Sequence, residues 1–274
     1  MHKLGLPVPP GFVVADSVFQ EFLDRNHLRQ PIAALRGHLD LTDVAGVRRA
    51  AHAIRKWMLD APLDEAMRGE IAALRQEIVP GATVIVRSSA VGEDSARASY
   101  AGQLESVPDV HSTEALEPSL RLCWASFWSE RSLSYQLSHG IELVGMGVVV
   151  QEQIQARISG VLFTRSPDRT VAGDDYMLAE YCFGPGGPLV SGRINPGRFT
   201  VARRDFRWWV VAAPEQPDVG EANGLLNDAR MSALARAGLA LEDEFSGPQD
   251  IEWVIARDGR LFLVQSRPIT GGNE

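Results

Sequence analysis

Gln249-Asp250-Ile251-Glu252-Trp253-Val254-Ile255-Ala256-Arg257-Asp258-Gly259-Arg260-Leu261-Phe262-Leu263-Val264-Gln265-Ser266-Arg267-Pro268 is the stretch whose reading governs the rest of the chain. Two apolar runs, 251–255 and 261–265, flank Arg257-Asp258-Gly259-Arg260. Asp-Gly between such runs is a strong β-hairpin signal. Alternation directs Asp250, Glu252 and, on the far strand, Gln265 and Arg267 toward a common face or end of the pair. A carboxylate and an amide oxygen a few ångströms apart suit a hard cation such as Mg²⁺, which keeps positions for phosphates and water. The same residues also read as an ordinary edge hairpin with a cross-strand Glu/Arg pair. Both readings stand at this point.

Working outward, the spacing of Met231, Leu234 and Leu241 predicts a helix over 228–244 just before the hairpin. Short β-rich runs precede it at 148–150, 161–164, 176–181, 199–202 and 208–211, punctuated by Gly and Pro. The first third reads helical: Val47, Ala51, Ile54 and Met58 share one face, and Met67, Ile71, Leu74 and Ile78 another. Thr113 is the expected cap of a further helix whose stripe of Leu116, Leu120, Trp124 and Phe127 belongs in a core. The expectation is an α+β protein of two lobes, residues 1–154 and 155–274.

Composition narrows the function. The 274 residues carry 27 Lys+Arg against 35 Asp+Glu, a formal net charge of −8. That balance argues against a nucleic-acid coat or a binder of anionic membranes, both of which need basic excess. Cys123 and Cys182 are too few for a disulfide framework or a cysteine zinc site, so a reducing, cytoplasmic setting is expected. The first residues do not read as a signal peptide, and no apolar run approaches a membrane span.

Two further segments are more polar than core strands should be. Val84-Ile85-Val86-Arg87-Ser88-Ser89-Ala90 runs a strand into a guanidinium and two hydroxyls, which suits a phosphate. The competing reading is a surface turn with Arg87 paired to Glu93 or Asp94. Ser99-Tyr100-Ala101-Gly102-Gln103 has the small residues that let backbone approach a ligand, though an ordinary loop explains it equally. Other templates fail: no G-x-x-x-x-G-K-S/T, no G-x-S-x-G and no H-E-x-x-H occurs. His139, at a predicted helix end, reads as a dipole contact.

Taken in order, VIVRSSAVGED, SYAGQ, VVVQEQI, SGVLFTRSP, LVSGRINP and the terminal QDIEWVIARDGRLFLVQSRPIT resemble the N-terminal nucleotide-binding domain of phosphoenolpyruvate synthase, pyruvate phosphate dikinase and rifampicin phosphotransferase. GLPVPPGF at 5–12 is similar to the same family near its start. The resemblance implies an ATP-grasp-like fold with ATP and Mg²⁺ held between two lobes. It implies that Arg87 grips the transferred phosphates and that Gly102 and Ser106 belong to the loop covering the nucleotide. Gln151 would edge the adenine pocket, with Gln153 the weaker candidate. Glu252 and Gln265 would be the Mg²⁺ ligands, with Arg267 beside them.

Departures from the pattern matter as well. The resemblance puts a lysine-bearing Gly-Gly-Lys-Gly-type motif ahead of Met1, and Lys3 is not in its place. Gly187 and Pro196-Gly197 stand where the family carries acidic residues, and Thr164-Arg165-Ser166-Pro167 replaces Thr-Ala-Asp-Pro. The family relays a phosphoryl group through a histidine on a separate domain, so the expectation is an ATP-binding half that works with a histidine-bearing partner domain or chain. The alternative is a degenerate nucleotide-binding module that regulates or scaffolds without phosphotransfer.

Overall fold

The computed structural model describes residues 1–40, 42–90, 94–95, 98–99, 104–140, 145–166, 173–215 and 224–269. They form two compact units, Pro10–Gln153 and Met1–Pro9 together with Ile154–Glu274. Helix and strand are mixed in both, the α+β class that the sequence patterns predict.

The first unit runs β1 (Gly11–Val14), α1 (Asp16–Arg25), α2 (Arg29–Arg36), α3 (Val44–Asp60), α4 (Glu65–Ile78), β2 (Val84–Ala90), the two-residue strands β3 (Asp94–Ser95) and β4 (Ala98–Ser99), β5 (Ser106–Val110), α5 (Leu116–Ser126), α6 (Glu130–His139) and β6 (Met146–Glu152). Strands β1, β6, β2 and β5 pair antiparallel in that order. α3 and α4 form where the helical spacing predicts them, and each has an Asp cap. Asp43 accepts from Gly46 N–H, and Asp64 from Met67 N–H, satisfying amides that a helix start leaves without partners.

Thr113 is not the cap of α5. The helix starts at Leu116 behind Ala115, because Thr113 already sits in a preceding turn whose carbonyl accepts the Leu116 N–H. The aromatic stripe is core, as its one-sided spacing predicts. Trp124 is fully buried against Phe19 and Phe22, with ring centroids 5.6 Å and 4.9 Å away. Each such side chain contributes roughly 1.5–3 kcal/mol by leaving water.

The second unit contains β7 (Ala156–Phe163), β8 (Tyr176–Phe183), the one-turn α7 (Gly187–Val190), β9 (Gly197–Ala202), β10 (Trp208–Ala212), α8 (Asp228–Glu244), β11 (Gln249–Ala256) and β12 (Leu261–Pro268). Its antiparallel sheet has the order β10-β9-β8-β7-β11-β12. Leu162, Phe199, Ile251 and Trp253 share one core with Met231, Leu234 and Leu241 of α8. That core covers one face of the sheet. The first residues join this unit: Leu6 packs against its core, and Pro7 O accepts from Leu263 N–H at 2.8 Å. The β11–β12 turn is the Asp-Gly hairpin turn, with Gly259 at φ 83 where a side chain would be strained. Among the described residues, no helix is long and apolar enough to cross a membrane.

Candidate functional site

On β11 and β12, register decides which side chains meet. Next to the turn Ile255 faces Leu261, and Trp253 faces Leu263. The register then shifts, so that Glu252 faces Gln265 and Asp250 faces Arg267. Val264 is the extra residue of this bulge. Counted straight from the turn, Glu252 would have met Val264, and Gln265 would have pointed to the opposite face. The bulge therefore collects Asp250, Glu252, Gln265 and Arg267 on one face, away from Ile251 and the α8 core.

Within this group the cross-strand ion pair is Asp250 with Arg267, not the Glu/Arg pair of the edge-hairpin reading. Nε of Arg267 donates to Asp250 Oδ2 at 2.7 Å, and Nη2 lies 2.7 Å from the same oxygen. Asp250 is only 8% exposed, and its Oδ1 is buried without a hydrogen-bond partner. Sequence alternation put Asp250 near the site but did not mark it as the residue that fixes Arg267. The bulge that aligns the two was the missing signal.

The donor chemistry fits Mg²⁺. Directly opposite residues on an antiparallel pair have Cβ atoms about 4.5–5.5 Å apart, so the Glu252 carboxylate and Gln265 amide can share one hard cation. The orphaned Asp250 oxygen in the adjoining pair adds negative potential. Among the described residues, no group of three or more His, Cys, Asp or Glu gathers as a metal cage. Few protein donors, with phosphate and water completing the shell, is how Mg²⁺ is usually held at nucleotides.

The first unit places Arg87 on β2 directly opposite Ser106 on β5 and Val149 on β6. Gln151 is opposite Ile85 of β2 and Gly11 of β1. Val84, Val86, Val148 and Val150 point into the helical core, so Ile85, Arg87, Val149 and Gln151 share the other face. On that face Val13 of the edge strand is 62% exposed, whereas Gln151 is buried. Ser106 and Arg87 are thus brought together, with Gln151 one strand over. Ser88, expected to help cradle a phosphate, instead donates its hydroxyl to Glu105 O at 2.9 Å. Gln153 is engaged locally: its amide exchanges hydrogen bonds of 2.7 Å and 2.8 Å with Asp109, a residue held at φ 58. Gly102, with the rest of the 100–103 segment, and Glu93 lie outside the described residues.

Of the departures, Arg165 lies 3.7 Å from Glu242, beside a cleft of about 530 Å³ also lined by Arg203 and Asp243. Arg203 clamps Glu242 through two hydrogen bonds of 2.8 Å and 3.1 Å. Burial alone would raise the Glu242 carboxyl, but the Arg203 and Thr164 hydrogen bonds and the two guanidinium charges hold it below its ordinary range. Gly197 lies under the Tyr181 ring, where an added Cβ would come within 2.4 Å of Cζ. His139 caps its helix end, its Nδ1 3.0 Å from Tyr135 O and its ring stacked on Tyr135.

Comparison with known proteins supplies the frame for this geometry. The family described as "Pyruvate phosphate dikinase, AMP/ATP-binding domain" matches residues 1–274. The chain is 31% identical over 293 residues to a probable phosphoenolpyruvate synthase of Methanothermobacter thermautotrophicus, covering 98% of this chain and 42% of that protein. It is 29% identical over 306 residues to the phosphoenolpyruvate synthase of Neisseria meningitidis serogroup B, covering 98% and 38%. A rifampicin phosphotransferase of a Streptomyces species is 31% identical over 284 residues, covering 97% and 32%. The chain therefore spans less than half the length of these relatives. Among solved structures, D-alanyl-alanine synthetase A of Vibrio cholerae aligns with a TM-score of 0.40 and 11% identity over 82% of this chain and 55% of that one. With the family match running from the first residue to the last, the chain belongs to the pyruvate phosphate dikinase AMP/ATP-binding domain family.

Proposed function

We propose that the chain binds ATP with Mg²⁺ as the nucleotide half of a dikinase-type phosphotransferase and passes the β-phosphoryl group to a histidine on a separate domain or chain, the α–β bridge breaking so that AMP leaves and water taking the γ-phosphoryl as inorganic phosphate. The observation that carries this reading is the bulged β11–β12 register, which pairs Glu252 with Gln265 beside an Arg267 already oriented by Asp250. Phosphoryl transfer asks little covalent chemistry of a protein; it depends on positioning and on neutralising spread negative charge. Bound Mg²⁺ would supply part of that neutralisation, and Glu252 and Gln265 are the residues to hold it. Arg267 contacts phosphate with its guanidinium plane preset by Asp250, so little side-chain entropy remains to be lost on binding. Arg87 also grips the phosphates, Ser106 opposite it belongs to the loop that covers the nucleotide, and Gln151 borders the adenine. Gly102 is assigned to the covering loop on the resemblance alone. The two cysteines are buried free thiols, and Cys123 is pushed up to about 12 by burial and by the Glu105 charge. Such thiols suit a cytoplasmic protein.

Isothermal calorimetry with ATP·Mg²⁺ is the test. Arg267→Ala and Glu252→Gln should each weaken binding at least ~10-fold, about 1.4 kcal/mol. No binding by the unaltered chain at millimolar nucleotide would sink the proposal. One observation favours the degenerate alternative: Gly197, at a position acidic in the family, has no room for a side chain. The readings part when the chain is given ATP labelled in the β-phosphate and a histidine-bearing domain of a relative. Label on that histidine supports transfer, and tight ATP binding with no label supports the regulatory module.

A further inference from the structure

β10, Trp208-Trp209-Val210-Val211-Ala212, ends the six-stranded sheet of the second unit, and among the described residues no strand pairs with its outer edge. Trp209, Val210 and Val211 are 46%, 50% and 49% exposed, and the strand carries no charge. An edge strand offers a row of unpaired N–H and C=O groups, and proteins that stay monomeric blunt such edges with Lys, Pro or charged side chains. The opposite edge of the same sheet follows that rule: β12 begins after Arg260 and ends in Arg267-Pro268. β10 has only a bulge, between Val210 and Ala212. Its surface is also ordered in advance, because the Trp209 ring meets Tyr176 edge-on at 5.2 Å.

We propose that β10 pairs antiparallel with β10 of a second copy across a two-fold axis, joining two six-stranded sheets edge to edge. The charges flanking the strand select this occupant. Arg207 precedes β10, and Glu215 follows its end by three residues. An antiparallel pairing centred on Val211 brings Arg207 beside Glu215 of the partner subunit, and symmetry repeats the contact. A parallel arrangement would instead oppose like charges. Within one chain the Arg207 side chain is 84% exposed, and its 3.3 Å ion pair with Asp205 is a solvent-screened contact that exchanges readily. The surface is therefore complementary to itself: apolar at the centre, cationic at one end and anionic at the other.

Sedimentation velocity of the 274-residue chain from about 1 to about 200 μM spans the range in which small interfaces dissociate. A reversible dimer is expected. Val211→Lys sets two ammonium groups against each other near the axis and should raise the dissociation constant at least ~10-fold. Arg207→Glu should weaken the dimer too, and Arg207→Glu combined with Glu215→Arg should restore it. Circular dichroism and ATP binding, unchanged in all three variants, exclude loss of fold as the cause. A monomer at every concentration overturns the proposal and leaves the edge to another occupant. A dimer indifferent to Val211→Lys, or a charge-swapped double variant no tighter than Arg207→Glu, overturns it equally.

Discussion

Gly160 tests whether the core of the second unit fixes the Glu252–Gln265 pair. It sits on β7 directly opposite Trp253 of β11 and Tyr181 of β8. A Cβ at this position would lie 2.3 Å from Trp253 Cζ2, 2.4 Å from Cε2 and 2.6 Å from Glu180 O. Non-bonded carbons settle at about 3.5–4.0 Å, so the ring contacts fall short by more than ~1 Å. Neither wall yields easily. Trp253 is fully buried, with its ring 6.1 Å from that of Phe199, and Glu180 O belongs to a strand paired on both sides. Gly160→Ala should therefore cost about 3 kcal/mol, the upper end of ordinary overpacking. Trp253 adjoins Glu252 at the bulge, so the forced shift should weaken ATP·Mg²⁺ binding as well. Urea unfolding followed by tryptophan fluorescence measures the first effect and calorimetry the second. In a Trp253→Leu background the clashing ring atoms are gone, and the Gly160→Ala penalty should shrink by at least ~1 kcal/mol. A penalty below ~1 kcal/mol, or the same penalty in both backgrounds, would refute the packing argument.

The Glu242 carboxyl is held below its ordinary value of 4.5 in the folded chain. Its contribution to stability is therefore present above about pH 4.5 and is lost as pH falls through the lower folded value. Urea midpoints of the parent and Glu242→Gln should converge as pH drops below the ordinary value of 4.5 and through the lower folded one; curves that stay parallel would contradict the Arg203 clamp. Asp64→Ala removes the oxygen that accepts from Met67 N–H at 2.9 Å and should cost about 1 kcal/mol. Glu65→Ala, at the exposed next residue, is the control and should change little. Deleting Val264 removes the bulge residue yet keeps Glu252 opposite Gln265 and Asp250 opposite Arg267, now in unbroken alternation from the Trp253–Leu263 pair. ATP·Mg²⁺ affinity should therefore stay within ~10-fold of the parent while the helical circular dichroism signal persists; a larger loss would show that these facing pairs alone do not build the site.

Much of the second unit was legible because its signals are local. Asp-Gly between apolar runs marks the β11–β12 turn, and three- and four-residue spacing marks α8 at its observed bounds. The first unit was less legible because its sheet is assembled from distant segments. β1 consists of Gly11–Val14, too short to show a period, and it exists by pairing with β6, where Gly11 meets Gln151. Val148–Val150 reads from composition as the start of the β-rich half, yet pairing places it at the centre of the first unit's sheet. α1 escaped notice for a different reason: Ala15 caps it with no side-chain hydrogen bond, leaving no start signal to read. α6 did carry one, since Ser129 accepts from Ser132 N–H.

The candidate site shows where this limit lies. Strand alternation has a period of two, so it predicts which residues of one strand share a face and is silent on the phase of the neighbouring strand. Asp250 and Glu252 are grouped by alternation, and so, separately, are Gln265 and Arg267. Whether the two groups meet depends on the single extra residue, Val264, and a valine in an apolar strand gives no sign of a bulge. The phase is set by what the chain packs: Trp253 and Leu263 are fully buried, and Ile251 is buried beyond the register shift. These residues hold the inner face of β11 against α8 while β12 gains one residue. Polar convergence at this site is thus a product of core packing, which is why a substitution as far from the ligand groups as Gly160→Ala is expected to reach them.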